Sequence, residues 1–281
     1  MRADPRARAV DTATRALACA HRILGPEHPD TLRVSAILAS CYRSTGRTSE
    51  AIKLGEHTLA DQERILGPEH PDTLRTAGLV LAGSYWDAGR ITEAIELGER
   101  ALPRGVRILG PQHPDTLSVS MILSVCYRDA GRIAEAIELG EHVLADSERV
   151  LGEGRPETLL ARMALVLYYT EAGRTAEAIE LGERLLPDFG RVLGPQHPDM
   201  LSARTILISA YGAAGRTAEA IELGERLVAD CEQILGPEHP VTYRARGTLA
   251  FCYQHGGRMT EAIELLERVL ADAKRLLVQR S

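Results

Sequence analysis

An all-α fold, a right-handed superhelical solenoid of antiparallel helix pairs, is predicted by three observations in the 281-residue sequence. The segment Leu24-Gly-Pro-Glu-His-Pro-Asp-Thr-Leu32 returns at Leu66–Leu74, Leu109–Leu117, Leu193–Leu201 and, altered, at Leu235–Tyr243, with a worn copy, LGEGRPETL, at Leu151–Leu159. The loop glycines Gly25, Gly67, Gly110, Gly152, Gly194 and Gly236 are spaced by 42, 43, 42, 42 and 42 residues, so the chain is six copies of one unit. Inside each unit apolar residues recur at helical spacing twice, as in Leu32, Ala36, Leu38, Ala39, Tyr42 and then Ala51, Leu54, Leu59, Leu66, and no segment alternates with period two.

The first element, within residues 1–25, aligns with a second helix, Ala9-Val10 standing where later copies have Ala51-Ile52. After this half-unit come units at 26–67, 68–110, 111–152, 153–194, 195–236 and 237–281, together one solenoid domain over 1–281. Each first helix is opened by His-Pro-Asp-Thr or a variant: proline suits the first helical position, where its missing N–H costs nothing, and aspartate complements the positive end of the helix dipole. It stops at Gly46, Gly89, Gly131, Gly173, Gly215 or Gly257, each suited to a left-handed cap. The second helix opens on Glu-Ala-Ile and ends where glycine caps it and proline blocks continuation. Such a pair cannot bury its apolar face alone, and stacking the pairs supplies the core.

Three irregularities carry further expectations. Gly55, Gly98, Gly140, Gly182 and Gly224 sit inside second helices, where a glycine costs about 1 kcal/mol relative to alanine; close approach by the next unit's first helix would account for them, drift after duplication being the alternative. The last copy has Leu266 there. Pro103 and Pro187 lie inside second helices and should bend them. Leu74 and Tyr85 are eleven residues apart where other copies have ten, which predicts a π-bulge or a 3₁₀ adjustment near Ala77-Gly78.

Composition excludes more than it assigns. The net charge of −6 opposes non-specific adhesion to nucleic acid or anionic lipid. No apolar run approaches a membrane span, and residues 1–10 lack a signal-peptide apolar segment, so a cytoplasmic chain is expected. Five scattered cysteines without a C-x-x-C pair read as reduced core thiols and not as a zinc site or disulfide frame. His28, His70, His113, His197 and His239 occupy one repeated corner and read as capping and loop residues, not metal ligands. Phosphate-loop, dinucleotide, nucleophile-elbow and zinc-protease motifs are all missing, so neither catalytic residues, cofactor nor metal is assigned. The absence of asparagine, with only two lysines, points to a high-GC bacterial source.

The pattern Leu38-Ala39-x-x-Tyr42-x-x-x-Gly46-x-x-x-Glu50-Ala51 and Leu59, repeated through Leu249-Ala250, Tyr253, Gly257 and Glu261-Ala262, resembles the tetratricopeptide repeat in the 42-residue form of kinesin light chains and of bacterial nucleotide-binding (NB-ARC-like) signalling proteins. The resemblance covers nearly the whole chain and implies protein or peptide binding on a concave face lined by first helices. Carried onto this sequence, that face is Ile37, Leu79, Trp86, Met121, Val125, Arg128, Asp129, Met163, Leu167 and Phe251. The asparagines of the light-chain relatives are missing, and Met and apolar side chains suit a helical or apolar ligand better than a bare strand.

Two functions follow from the resemblance: a non-catalytic binding scaffold, or the C-terminal sensor or autoinhibitory array of a larger nucleotide-dependent switch. The half-unit start and the apolar set Leu265, Leu266, Leu270, Leu276, Leu277 and Val278 near the C-terminus lead to a further expectation: the chain is a piece of a longer array, or its ends meet another subunit.

Overall fold

The computed structural model describes residues 5–194 and 197–280, and among them it has helices and turns and no strand. Its helices form two compact units, residues 1–150 and 151–281. In the first unit α1 (Pro5–Leu24) precedes the pairs α2 (Pro29–Ser44) with α3 (Thr48–Ile65), α4 (residues 71–87) with α5 (Ile91–Ile108), and α6 (Pro114–Asp129) with α7 (Ile133–Val150). The second unit holds the pairs α8 (Pro156–Glu171) with α9 (Thr175–Val192), α10 (Pro198–Ala213) with α11 (Thr217–Leu235), and α12 (Pro240–His255) with α13 (Met259–Arg280). The expected unpaired helix and six pairs are present. The side chains of Leu276, Leu277 and Val278 lie outside the described residues.

Both ends of the first helices are closed by local chemistry. His28, His70, His113, His197 and His239 are N-caps, each Nδ1 accepting the backbone N–H two residues on at 3.2 Å. That geometry needs an unprotonated Nδ1, so these rings carry their proton on Nε2. Arg155 holds the cap position of α8 in the worn copy and makes no side-chain cap. At the other end Arg47 N–H donates to the Tyr42 carbonyl at 2.9 Å and Gly46 N–H to that of Arg43 at 3.0 Å, with Gly46 at φ 74°. This paired 6→1 and 5→2 closure requires a left-handed residue, which glycine adopts without strain.

The closure is reinforced by a side-chain clamp. The Arg47 guanidinium lies 4.2 Å from the Tyr42 ring centroid, and its Nε donates to Glu50 at 3.0 Å in the first turn of α3. Tyr85-Arg90-Glu93, Tyr127-Arg132-Glu135, Tyr169-Arg174-Glu177, Tyr211-Arg216-Glu219 and Tyr253-Arg258-Glu261 repeat it. The phenol then reaches the preceding second helix: Tyr85 donates to Glu56 at 2.7 Å, Tyr127 to Glu99 at 3.0 Å, Tyr211 to Glu183 at 2.8 Å and Tyr253 to Glu225 at 2.8 Å. Burial first, and the bond to glutamate second, push Tyr85, Tyr127 and Tyr211 up to about 12.

Four of the glycines inside second helices, Gly55, Gly98, Gly182 and Gly224, are seats for the next first helix. A Cβ added at Gly55 would lie 3.3 Å from Leu81 Cδ1, at Gly98 3.0 Å from Leu123 Cδ1, at Gly182 2.8 Å from Leu207 Cδ1 and at Gly224 3.0 Å from Leu249 Cδ1. Leu266 at the corresponding place on α13 is half exposed. Neither Pro103 nor Pro187 interrupts its helix; both project from the exposed side of α5 and α9.

Helix α4 is α-helical over Pro71–Arg75 and Ala82–Asp87, with a π-helical segment, Thr76–Leu81, between them. The eleven-residue spacing is thus absorbed where the sequence places it. Gly78 inside the segment faces α6, and a Cβ there would lie 2.4 Å from Val119 Cγ2. The extra residue is tolerated because it has no side chain at the contact.

In the second unit an arginine–aspartate bridge links the two helices of each pair. Arg162 donates to Asp188 at 2.8 Å, Arg204 pairs with Asp230, and Arg246 donates to Asp272 at 2.7 Å, each joining the two helices of one pair. Arg246 also donates to Glu232 at 2.7 Å. Arg162 and Arg246 are buried, and both are matched by carboxylates, as a buried charge requires. At the position of Arg162 the first unit has Ser35 in α2, whose hydroxyl meets Thr58 of α3 at 2.7 Å.

Candidate functional site

The first helices of each unit stack on one another, so the side chains between their core residues form a strip. In the first unit α2, α4 and α6 are cross-linked along it. Arg43 Nε donates to Asp87 at 2.6 Å, and Arg43 Nη1 reaches the Leu79 carbonyl in the π segment at 3.4 Å. The guanidinium lies flat on α4 because residue 83 is glycine: a Cβ there would stand 2.6 Å from Arg43 Cζ. One helix further on, Trp86 Nε1 donates to Asp129 Oδ2 at 2.7 Å, while Arg128 Nε donates to Asp129 Oδ1 at 2.9 Å.

Trp86, Arg128 and Asp129 are therefore brought together. Trp86 is half buried and packs on the cluster of Ala94, Ile95, Leu123 and Cys126, with Ile122 and Tyr127 beside it. Leu79, Met121 and Val125 are half buried between their helices. Of the other strip side chains, Ala36 and Val80 are buried in the stack. Ile37, 52% exposed, lines a different feature, a groove between α1 and α2. In the second unit Met163 packs against Leu159, Leu185 and Phe189, and Leu167 is half buried. Phe251 is 59% exposed, its ring centroid 4.0 Å from that of His255.

The sequence reading missed the polar cross-links. Asp87 and Gly83 carry them with Arg43, and the clamp arginines follow each cap glycine in a Gly-Arg-x-x-Glu pattern that recurs six times. The arginine–aspartate pairs of the second unit were also legible as a period, Arg162, Arg204 and Arg246 with Asp188, Asp230 and Asp272. Among the described residues no cluster of three His, Cys, Asp or Glu side chains could hold a metal ion, and no helix is long and apolar enough to cross a membrane.

The model of the tetratricopeptide repeat (TPR) family matches residues 6–64, 72–146, 119–189 and 199–275. The chain belongs to the tetratricopeptide repeat family. Among solved structures this TPR chain is similar to the nearly identical TPR-like repeats of a kinesin light chain candidate from Podosopora anserina: 35% identity, 76% of this chain and 100% of that one, TM-score 0.68. It also shares its fold with BtubC (BKLC) from P. vanneervenii at 19% identity, over 84% of this chain and 94% of that one, TM-score 0.69. A Signal Transduction ATPase with Numerous Domains (STAND) protein with a tetratricopeptide repeat sensor, from Pyrococcus horikoshii, is alike in fold at 15% identity and TM-score 0.72, over 96% of this chain and 40% of that one. No curated protein matches the chain significantly. TPR arrays are in general protein-interaction scaffolds and not catalysts.

Proposed function

We propose that this TPR array is a non-catalytic cytoplasmic scaffold that binds a protein or peptide, helical or apolar at the contact, along its first-helix strip. The observation that carries this reading is the cross-linked surface of α2, α4 and α6. Leu79, Met121 and Val125 stand half exposed beside Trp86, whose ring is held by Asp129. Apolar side chains fixed by a polar rim form a preorganised contact, which limits the ordering cost of binding. Met163, Leu167 and the exposed Phe251 are the corresponding contacts in the second unit. The five thiols are free, which suits a reducing compartment, but only Cys126, Cys231 and Cys252 are core residues, Cys19 being exposed and Cys41 half buried; the net charge of −6 disfavours nucleic acid.

Affinity capture from native lysate, followed by titration of the captured protein with Trp86 emission as readout, tests the reading. Met121→Asp and Met163→Asp should each abolish binding and leave helicity intact. Normal binding by both, with loss on replacing Glu96 and Arg100 of α5, would move the function to the opposite face.

A second reading, supported by the fold likeness to the P. horikoshii STAND protein with its TPR sensor, is a sensor or autoinhibitory array within a larger nucleotide-binding protein. A phosphate-loop domain in the reading frame upstream of Met1 would select it. Self-association through α1 or α13 belongs to either reading. It is supported by the exposed Ile263, Leu266 and Leu270 of α13 and is measured by light scattering against the monomer mass of 30.6 kDa.

A further inference from the structure

An open groove of about 550 Å³ runs between α1 and α2, lined by Arg8, Ala9, Thr12 and Ala16 on one wall and by Val34, Ile37 and Cys41 on the other. The later repeats show what belongs there. Ala51 of α3 and Ala94 of α5, at the position of Ala9, are buried by the first helix of their own pair, whereas Ala9 is exposed. Val119 of α6, at the position of Val34, is buried against the backbone of α4 at Gly78, and Cys126, at the position of Cys41, is fully buried. Val34 and Cys41 are only half buried, and Ile37 is exposed. The groove therefore has the shape of a first-helix site with no helix among the described residues filling it.

Charge specifies the occupant further. Arg33 of α2 donates to Asp72 of α4 at 2.8 Å, and Arg75 of α4 to Asp115 of α6 at 2.6 Å, so α2 and α4 each hand an arginine from the second turn to the next first helix. Asp30, the same residue on α2, is mostly exposed and is met by Arg33 of its own helix. Arg8 stands towards the other end of the groove, near the C-terminal turns of α2, where a parallel occupant would present its own negative helix end.

We propose that this groove docks an amphipathic α-helix of another protein. The helix lies parallel to α2, sets small and branched apolar residues against Ala9, Ala16, Val34 and Ile37, and carries an arginine in its second turn for Asp30. This site is distinct from the first-helix strip and stands or falls independently of it.

The probe is a synthetic peptide of residues 26–47 carrying Cys41→Ser, labelled for anisotropy and added to the full chain. Saturable binding is expected, weakened at least tenfold by Ile37→Glu in the protein and several-fold by Arg33→Gln in the peptide. Cys41 and Cys19 offer a second readout, because burial pushes the Cys126 thiol up to about 12 and raises those of Cys231 and Cys252. The peptide should slow modification of Cys41 by a disulfide reagent and leave the exposed Cys19 unaffected. Ile37 is exposed, so Ile37→Glu should fold, as circular dichroism would verify; Ala9→Arg, on the opposite wall, repeats the test. Undiminished binding by both variants, or Cys41 modified at the same rate with and without peptide, would overturn the proposal. So would a chain dimer that Ile37→Glu dissolves, since the occupant would then be a second copy.

Discussion

The indole N–H of Trp86 is bonded to Asp129 Oδ2 at 2.7 Å across two successive first helices. The ring that would greet a ligand is thus also a strut of the stack. Trp86 is the chain's one tryptophan, so Asp129→Ala should change its emission and lower stability by about 1 kcal/mol in denaturant unfolding. Unchanged emission would mean that the bond does not persist in solution.

Gly78, Gly98 and Gly182 should resist alanine. An added Cβ would lie 2.4, 3.0 and 2.8 Å from Val119, Leu123 and Leu207 respectively, so each variant should lose about 1–3 kcal/mol through overpacking. Gly212, in α10 with nothing within 4 Å, gives the opposite sign: Gly212→Ala should gain up to about 1 kcal/mol. Thermal unfolding of the four variants measures the contrast.

Arg246 and Asp272 should be removable only together. Arg246→Met leaves a buried carboxylate without its main partner and should cost about 3–5 kcal/mol, while adding Asp272→Leu should recover most of the loss. A double-mutant cycle reads the coupling directly; additive losses would show that the pair does not act as a unit.

Helix α8 should gain from the cap its sisters have. Arg155→Asn or Arg155→Ser supplies an acceptor for the first-turn N–H groups and should add about 1 kcal/mol, and His113→Ala should remove a similar amount from α6. Urea midpoints of the two variants should move in opposite directions.

The clamp phenols predict loss of stability in alkali. A free tyrosine titrates near about 10, and Tyr85, Tyr127 and Tyr211 are pushed up to about 12. Their folded-state values lie above the unfolded ones, so their contribution is complete below about pH 10 and lost as pH rises through about 12. Phenolate absorbance should show these rings ionising late, and Glu56→Gln should advance Tyr85.

The helical pairs, cap glycines, histidine corners and π segment were legible because each depends on residues close in sequence. A period of 42 residues with one step of 43 locates the irregular helix without any tertiary information. The candidate strip was legible only in outline. Val80 and Ile37 hold equivalent places on α4 and α2, yet one is buried and the other exposed, because a preceding first helix covers only the former. The tie of Trp86 to Asp129 was not legible, because a hydrogen bond to a residue 43 positions away leaves no local trace in the sequence.

The π segment has a consequence for how the array tolerates change. At its last residue Leu81 meets Gly55, and beyond it Tyr85 meets Glu56, as their counterparts do in repeats of ordinary length. A one-codon insertion has been confined to six residues, and every later contact keeps its phase. A long single helix given the same insertion would rotate everything downstream by about 100°. Because each cap restarts the count, the extra residue of α4 is absorbed within its own helix pair.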